Sequence, residues 1–172
     1  MQHLSENMNI RIRNIKAFFK GFGYAFSGVV NCIRTERNMR FHVGFGAFVL
    51  LFMHCFYELE KAEKCLVYLC IALVPALELI NTAIENTCDI ACNNQKNSRA
   101  KTAKDCAAAA VLVVSAFSAV IGISVFWDTA VFDKIFRYFN DKPAMLVLLI
   151  VAVVLWLVWV FSAKGKNKES EK

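Results

Sequence analysis

Four apolar runs, at about residues 43–57, 65–84, 107–127 and 143–163, decide what this chain can fold into. Each approaches the roughly 17–25 residues that a helix needs to cross a bilayer, the first being the shortest. The chain of 172 residues is 58% hydrophobic with a mean hydropathy of +0.45. A soluble domain of this size does not carry so much apolar length in unbroken runs. The sequence therefore predicts an all-α integral membrane protein, a single small polytopic domain. The first 40 residues lack a compact apolar stretch followed by a small-residue cleavage site, so no cleaved signal peptide is expected.

Charge sets the expected orientation. Residues 1–42 hold Arg11, Arg13, Lys16, Lys20, Arg34, Arg37 and Arg40. The connection between the second and third runs holds Lys96, Arg99, Lys101 and Lys104, and the tail holds Lys164, Lys166, Lys168 and Lys172. The other two connections hold Lys61 and Lys64, then Lys134, Arg137 and Lys142, all matched by acids. The positive-inside rule places both termini and the 85–106 connection in the cytoplasm, which requires an even number of spans. The net charge of +6 then reads as a cytoplasmic membrane face, not as a nucleic-acid-binding surface. The seven cysteines are odd in number and form no C-x-x-C, so neither a disulfide framework nor a zinc site is argued. Cys88 and Cys92 share a helix face but have no further ligands of matching spacing.

Residues 1–9 are polar and expected to fray. From Ile10 to Ile33, Ile15, Phe18, Phe19, Phe22, Phe26, Val29, Val30 and Ile33 share one helical face, with Arg13, Lys16, Lys20 and Ser27 elsewhere. This basic amphipathic helix suits the headgroup plane, or a packed position on the bundle. Gly21, Gly23 and Gly28 within it lower helix propensity and suggest close approach by something else. The flank from Arg34 to His42 sets Glu36 among three arginines; a solvated flank accounts for the arginines but less well for Glu36.

The run beginning at Cys65 ends in a polar stripe. Glu78, Asn81, Glu85 and Asp89 fall at i, i+3, i+7 and i+11, close to one line along a helix. Ionisable groups in a bilayer-embedded helix are costly and usually face a bundle interior or a water-filled site. A helix emerging into solvent also explains Asp89, but not Glu78, which has Leu77, Leu79 and Ile80 around it. Pro75 stands just ahead of Glu78 and can kink the helix. The connection Ala91–Thr102 is Asn-rich and expected to be irregular. Lys104 and Asp105 then open the third run, level with Glu85 and Asp89 if the two helices run antiparallel, either as a site or as a snorkelling flank. Residues 107–110 are all alanine and permit close helix packing. Trp127 to Asn140 reads as an interfacial helix on the outer face, with Phe132, Ile135, Phe136 and Phe139 on one side. The last run carries no charge, and Trp156 and Trp159 near its inner end resemble an aromatic belt.

Three motifs carry a resemblance. Glu36-Arg-Asn-Met-Arg-Phe-His42, Glu78-Leu-Ile-Asn-Thr-Ala-Ile-Glu85 with Asp89, and Ala103-Lys-Asp105 with Ala109-Ala-Val-Leu112 resemble the prokaryotic diacylglycerol kinase family, which includes undecaprenol kinases. The form around Glu36 is more similar to the undecaprenol branch. The resemblance covers about residues 15–127 and leaves 143–163 outside.

The resemblance, together with the apolar runs and the charge pattern, divides the chain into a tail and interfacial helix (1–33), a three-span lipid kinase core (34–127), an interfacial connector (128–142), an extra transmembrane helix (143–163) and a charged cytoplasmic tail (164–172). It implies a multi-pass bacterial plasma-membrane enzyme with a cytoplasmic active site, using ATP and Mg²⁺ on a membrane lipid, and a homotrimer. Glu78 matches the family's proposed general base, and Glu36 and Glu85 its metal carboxylates. Tyr24, Glu36, Glu85, Lys104 and Asp105 match nucleotide-contacting positions; Asn81 and Arg40, with Glu78, match the lipid side. Ala17 stands where one branch has Arg, Ala108 where it has Ser, and residues 90–102 lack the family's usual His.

The chemistry fits independently. Phosphoryl transfer needs positioning and charge neutralisation more than covalent help. The chain has neither G-x-x-x-x-G-K-[ST] nor G-x-G-x-x-G. The expected function is phosphorylation of undecaprenol, with diacylglycerol as the alternative substrate. A non-enzymatic transporter or proton-conducting bundle built on the acidic stripe is the alternative of another class; it lacks acidic or His partners near mid-membrane in the other spans. A structural or regulatory protein is the third.

Overall fold

The computed structural model describes residues 2–162 and, within them, the side chains of residue 13 and of residues 15–162. Among the described residues there are six helices and no strands. They are α1 (Gln2–Thr35), α2 (Arg37–Phe56), α3 (Lys61–Ala91), α4 (Ser98–Phe126), α5 (Thr129–Asp141) and α6 (Pro143–Phe161). Four of these, α2, α3, α4 and α6, are long and apolar enough to cross a membrane. The tail 164–172 lies outside the described residues, as does Ala163.

The first four helices exceed their expected bounds, whereas α5 and α6 lie within two residues of theirs. Helix α1 begins at Gln2, so the segment expected to fray is helical. Helix α2 begins at Arg37, which makes the charged flank part of the span. Helix α3 runs without interruption through Pro75 and past the acidic stripe to Ala91. The irregular stretch between α3 and α4 shrinks to residues 92–97. Its reversal uses Asn93 and Asn94 at φ 47° and 58°, a left-handed conformation that asparagine tolerates better than most residues.

Local chemistry explains the ends. Asn97 caps α4 by accepting from Arg99 N and Ala100 N at 2.9 and 3.2 Å. Asp128 caps α5 in the same way, and Glu60 with Glu63 forms a capping box at the start of α3. At the far end of α4, Phe126 O, which has no partner within the helix, accepts from the Tyr57 hydroxyl at 2.9 Å and from Asp128 N at 3.0 Å.

Helices α3 and α4 form the tightest antiparallel pair, with α2 against α3 and α1 touching both α2 and α3. Helix α6 packs on α2 and α5. Gly21, Gly23 and Gly28 have nothing within 4 Å of where a Cβ would stand, so the close approach expected there is not made by any of the described residues of this chain. The glycines that do admit a neighbour are on α2: the Trp156 indole occupies the Cβ position of Gly44, and Ile71 lies 3.0 Å from that of Gly46. Leu112, Phe117, Val120 and Ile123 of α4 are exposed, as expected of a surface meant for hydrocarbon.

Candidate active site

The site is built where α1 turns into α2. The chain leaves helical geometry at one residue, Glu36, with φ −104° and ψ 122°. That single extended residue swings α2 back alongside α3 and aims Glu36 toward the stripe. Cys32, 2% exposed, and Met39, 2% exposed, fill the inside of the corner. Across from them α3 presents Glu78, Asn81 and Thr82, at 3%, 8% and 8% exposure. A carboxylate so buried needs a reason, because its desolvation is costly.

Glu36 and Glu85 lie near enough to Glu78 to act on its charge, and the amides of Asn38 and Asn81 stand beside its carboxyl group. Asn81 Nδ2 also donates to Glu85 Oε1 at 3.1 Å, tying successive turns of the stripe together. Among the described residues, Glu36 Oε1, Glu78 Oε1, Asn81 Oδ1 and Ser115 Oγ are buried side-chain atoms without a hydrogen-bond partner. Native proteins pair almost all such atoms. Three of the four are acceptors concentrated in one corner, which is the chemistry that receives a cation or a proton from a substrate hydroxyl.

Two spaces lie along α3, one to either side of the corner residues in sequence. An apolar groove of about 590 Å³ runs between α2, α3 and α4, from Phe41 and Pro75 near the Glu78 level to Trp127 and Phe132 at the opposite end. A polar pocket of about 540 Å³ lies at the 92–97 turn, lined by Asp89, Asn94, Lys96, Lys101 and Lys104 among others. There Lys104 pairs with Asp89, so the antiparallel register expected of these helices is present.

Not every anticipated residue converges. Glu36, Glu78, Asn81 and Glu85 meet at the corner, and Lys104 stands at the polar pocket. Tyr24 is 67% exposed on α1, and Asp105 is exposed on α4. Arg40 sends its donors to backbone carbonyls at the ends of α1 and α6. The corner also includes Cys32, Thr82 and Asn38, to which sequence reasoning gave no role. Asn38 lies inside the Glu36–His42 motif, and Thr82 is one turn on from Glu78; spacing could have found both, whereas Cys32 has no signal beyond its apolar face.

Among the described residues no three His, Cys, Asp or Glu side chains converge to hold a metal ion unaided. A site for Mg²⁺ does not require three, since the ion keeps waters and takes one or two carboxylates plus substrate phosphates. The partnerless Glu36 Oε1, with Glu85 nearby, fits that pattern.

Together these features define a helical membrane protein that buries ionisable groups between its spans, beside an apolar groove on one side and a basic pocket on the other. The sequence model of prokaryotic diacylglycerol kinase matches residues 23–126. The chain is 39% identical over 112 residues to an undecaprenol kinase of Bacillus subtilis, covering 65% of this chain and 89% of that protein. It is 37% identical over 101 residues to a diacylglycerol kinase of Synechocystis, covering 59% of this chain and 57% of that protein. No solved structure matches it. The chain belongs to the prokaryotic diacylglycerol kinase family and is a lipid kinase. Helices α5 and α6 lie beyond the matched residues.

Proposed function

We propose that this lipid kinase phosphorylates the hydroxyl of undecaprenol, with ATP as phosphoryl donor and Mg²⁺ as the metal. The observation that carries the reading is the buried, partnerless Glu78 Oε1, about one turn along α3 from Pro75 at the inner end of an apolar groove. A lipid chain in the groove brings its head to the Glu78 level, and a nucleotide reaches the same corner from the basic pocket. Undecaprenol is favoured by the name of the relative that aligns over nearly its whole length; the diacylglycerol kinase of Synechocystis supports the alternative.

In this reading Glu78 takes the hydroxyl proton at Oε1, a contribution on the order of 10²–10⁴-fold. Asn38 and Asn81 hold the carboxyl in orientation, and burial keeps water from competing as acceptor. Glu36 and Glu85 hold Mg²⁺, which neutralises charge on the transferring phosphoryl group. Lys104 adds positive charge on the phosphate side, and Tyr24 and Asp105 are the remaining nucleotide positions. Within one chain Tyr24 stays out on α1, which favours a homotrimer in which a neighbouring copy completes the nucleotide site. The distribution of Lys and Arg supports a bacterial plasma-membrane enzyme with both termini and the site cytoplasmic.

The test is transfer of labelled phosphate from ATP in detergent micelles, offering undecaprenol and diacylglycerol side by side, with Mg²⁺ and with EDTA. Labelled undecaprenyl phosphate that vanishes with EDTA is expected. Label on diacylglycerol alone would transfer the assignment to that lipid, and transfer undiminished by EDTA would remove the metal.

A further inference from the structure

The helix outside the family match makes its firmest polar contact with one residue of the kinase core. Arg40 Nε donates to Ile33 O at 2.7 Å and Nη2 to Arg34 O at 2.7 Å, both at the C-terminal end of α1. Its Nη1 donates to Trp159 O at 2.7 Å and to Ser162 Oγ at 3.1 Å, at the C-terminal end of α6. The guanidinium carbon also stands 5.3 Å from the centre of the Trp159 ring. One side chain thus caps two helices that are remote in sequence. The last carbonyls of a helix lack partners and carry the negative end of its dipole. A planar fork of fixed N–H donors is suited to serve two such ends at once, which a lysine cannot do.

The rest of the α6 contact is shaped to hold Arg40 in place. Trp156 seats its indole over Gly44, where any side chain would collide with it. It packs on Phe41 and Phe48 at 5.2 and 5.4 Å between ring centres and donates to Arg40 O at 3.5 Å. The residues held at the other side of the clamp, Ile33 and Arg34, lie three and two residues before the corner residue Glu36. Glu36 itself is fixed only by its backbone, its N donating to Cys32 O at 2.8 Å, while its Oε1 is partnerless.

We infer that α6 is a brace for the catalytic corner: docked through Trp156 on Gly44, it holds the Arg40 guanidinium that locks the end of α1, and thereby sets the position of the Glu36 carboxylate. Arg40 and Trp156 are positioning residues that act through Glu36. The inference rests on the assignment of Glu36 as a metal carboxylate only for its effect on catalysis; the effect on the corner stands apart from it.

The test uses the full chain in nanodiscs and two readouts. Hydrogen exchange of the amides in 33–39 reports the corner without reference to activity. The Mg²⁺ concentration giving half-maximal lipid phosphorylation reports Glu36. Arg40→Ala, Gly44→Leu, Trp156→Ala and the Arg40→Ala/Gly44→Leu double variant are compared. Each single change is expected to speed corner exchange about tenfold or more, an opening of local structure with the remaining helices still protected. The double variant should exceed the larger single by little, since both act through one contact. Half-saturating Mg²⁺ should rise about tenfold, with turnover at saturating Mg²⁺ within roughly threefold of the parent. Arg40→Lys should not rescue. Corner exchange at the parent rate in both Gly44→Leu and Trp156→Ala would overturn the brace. So would loss of turnover in Arg40→Ala with exchange unchanged, which would make Arg40 a substrate contact. If the parent chain transfers no phosphate, the functional reading fails, and the exchange rates still decide whether α6 braces the corner.

Discussion

Cys32 Sγ on α1 lies 3.4 Å from Thr82 Oγ1 on α3, joined across 50 residues with both groups buried. Burial pushes the Cys32 thiol above its ordinary range; the Thr82 hydrogen bond pulls the other way, and the charges of Glu36, Glu78 and Glu85 add to the upward push. The thiolate is the reactive form, so Cys32 should resist alkylation at neutral pH despite being next to the buried acidic corner. Iodoacetamide at pH 8 should label Cys92, half-buried at the α3 terminus, more than about tenfold faster than Cys32. Peptide mass spectrometry checks this. With a raised folded-state value, the thiol's contribution to stability is complete below the ordinary thiol range and is lost as pH rises through the raised value.

Glu78→Gln keeps the size and a hydrogen-bonding group but cannot accept the proton. Turnover should fall on the order of 10²–10⁴-fold, with the same detergent-stable assembly and unchanged half-saturation for ATP. Parent-like turnover would end the assignment of Glu78 as the base.

The groove makes a separable prediction. Gly122 lines it and has nothing within 4 Å of its Cβ position, so a larger side chain there enters the groove without displacing protein. Gly122→Phe should raise the KM for the lipid roughly tenfold or more while leaving the KM for ATP alone, the pattern of lost substrate binding and not of lost chemistry. An equal rise in both constants would detach the groove from the lipid.

Tyr57→Phe removes the hydroxyl that closes α4 at Phe126 O. The ring contact with Phe126, 4.9 Å between centres, remains. The cost should be about 1 kcal/mol, that of a neutral hydrogen bond, read as a lowered thermal midpoint with the kinetic constants unchanged.

What the sequence made legible follows the strength of periodic signals. The four spans were written in hydropathy, and the stripe Glu78–Asn81–Glu85 in helical spacing, because a carboxylate among leucines is conspicuous anywhere. The level of Lys104 with Asp89 followed from antiparallel register alone. The role of Arg40 did not. By resemblance it belongs to the lipid side, and nothing in its spacing shows that its donors reach the ends of two helices. Helix α6 was equally silent: apolar on all sides, it has no face whose period indicates a partner, so its seat on Gly44 depends on shape. The glycines of α1 mark room for a neighbour, and an absent side chain does not show what supplies it; no described residue of this chain does.

Helix α3 has 31 residues, a length of about 46 Å at 1.5 Å per residue, against a hydrocarbon layer of about 30 Å. Set upright it is longer than the layer, and the surplus falls at both ends: at Lys61, Glu63 and Lys64, and where Glu85 and Asp89 follow Glu78. The two reactants of a lipid kinase have opposite solubilities, and an ordinary enzyme has to extract one of them into the other's medium. A rod that outreaches the oil by three turns removes that extraction step: each reactant stays in its own phase, and the meeting point is fixed by how far along one rigid helix its side chains are mounted.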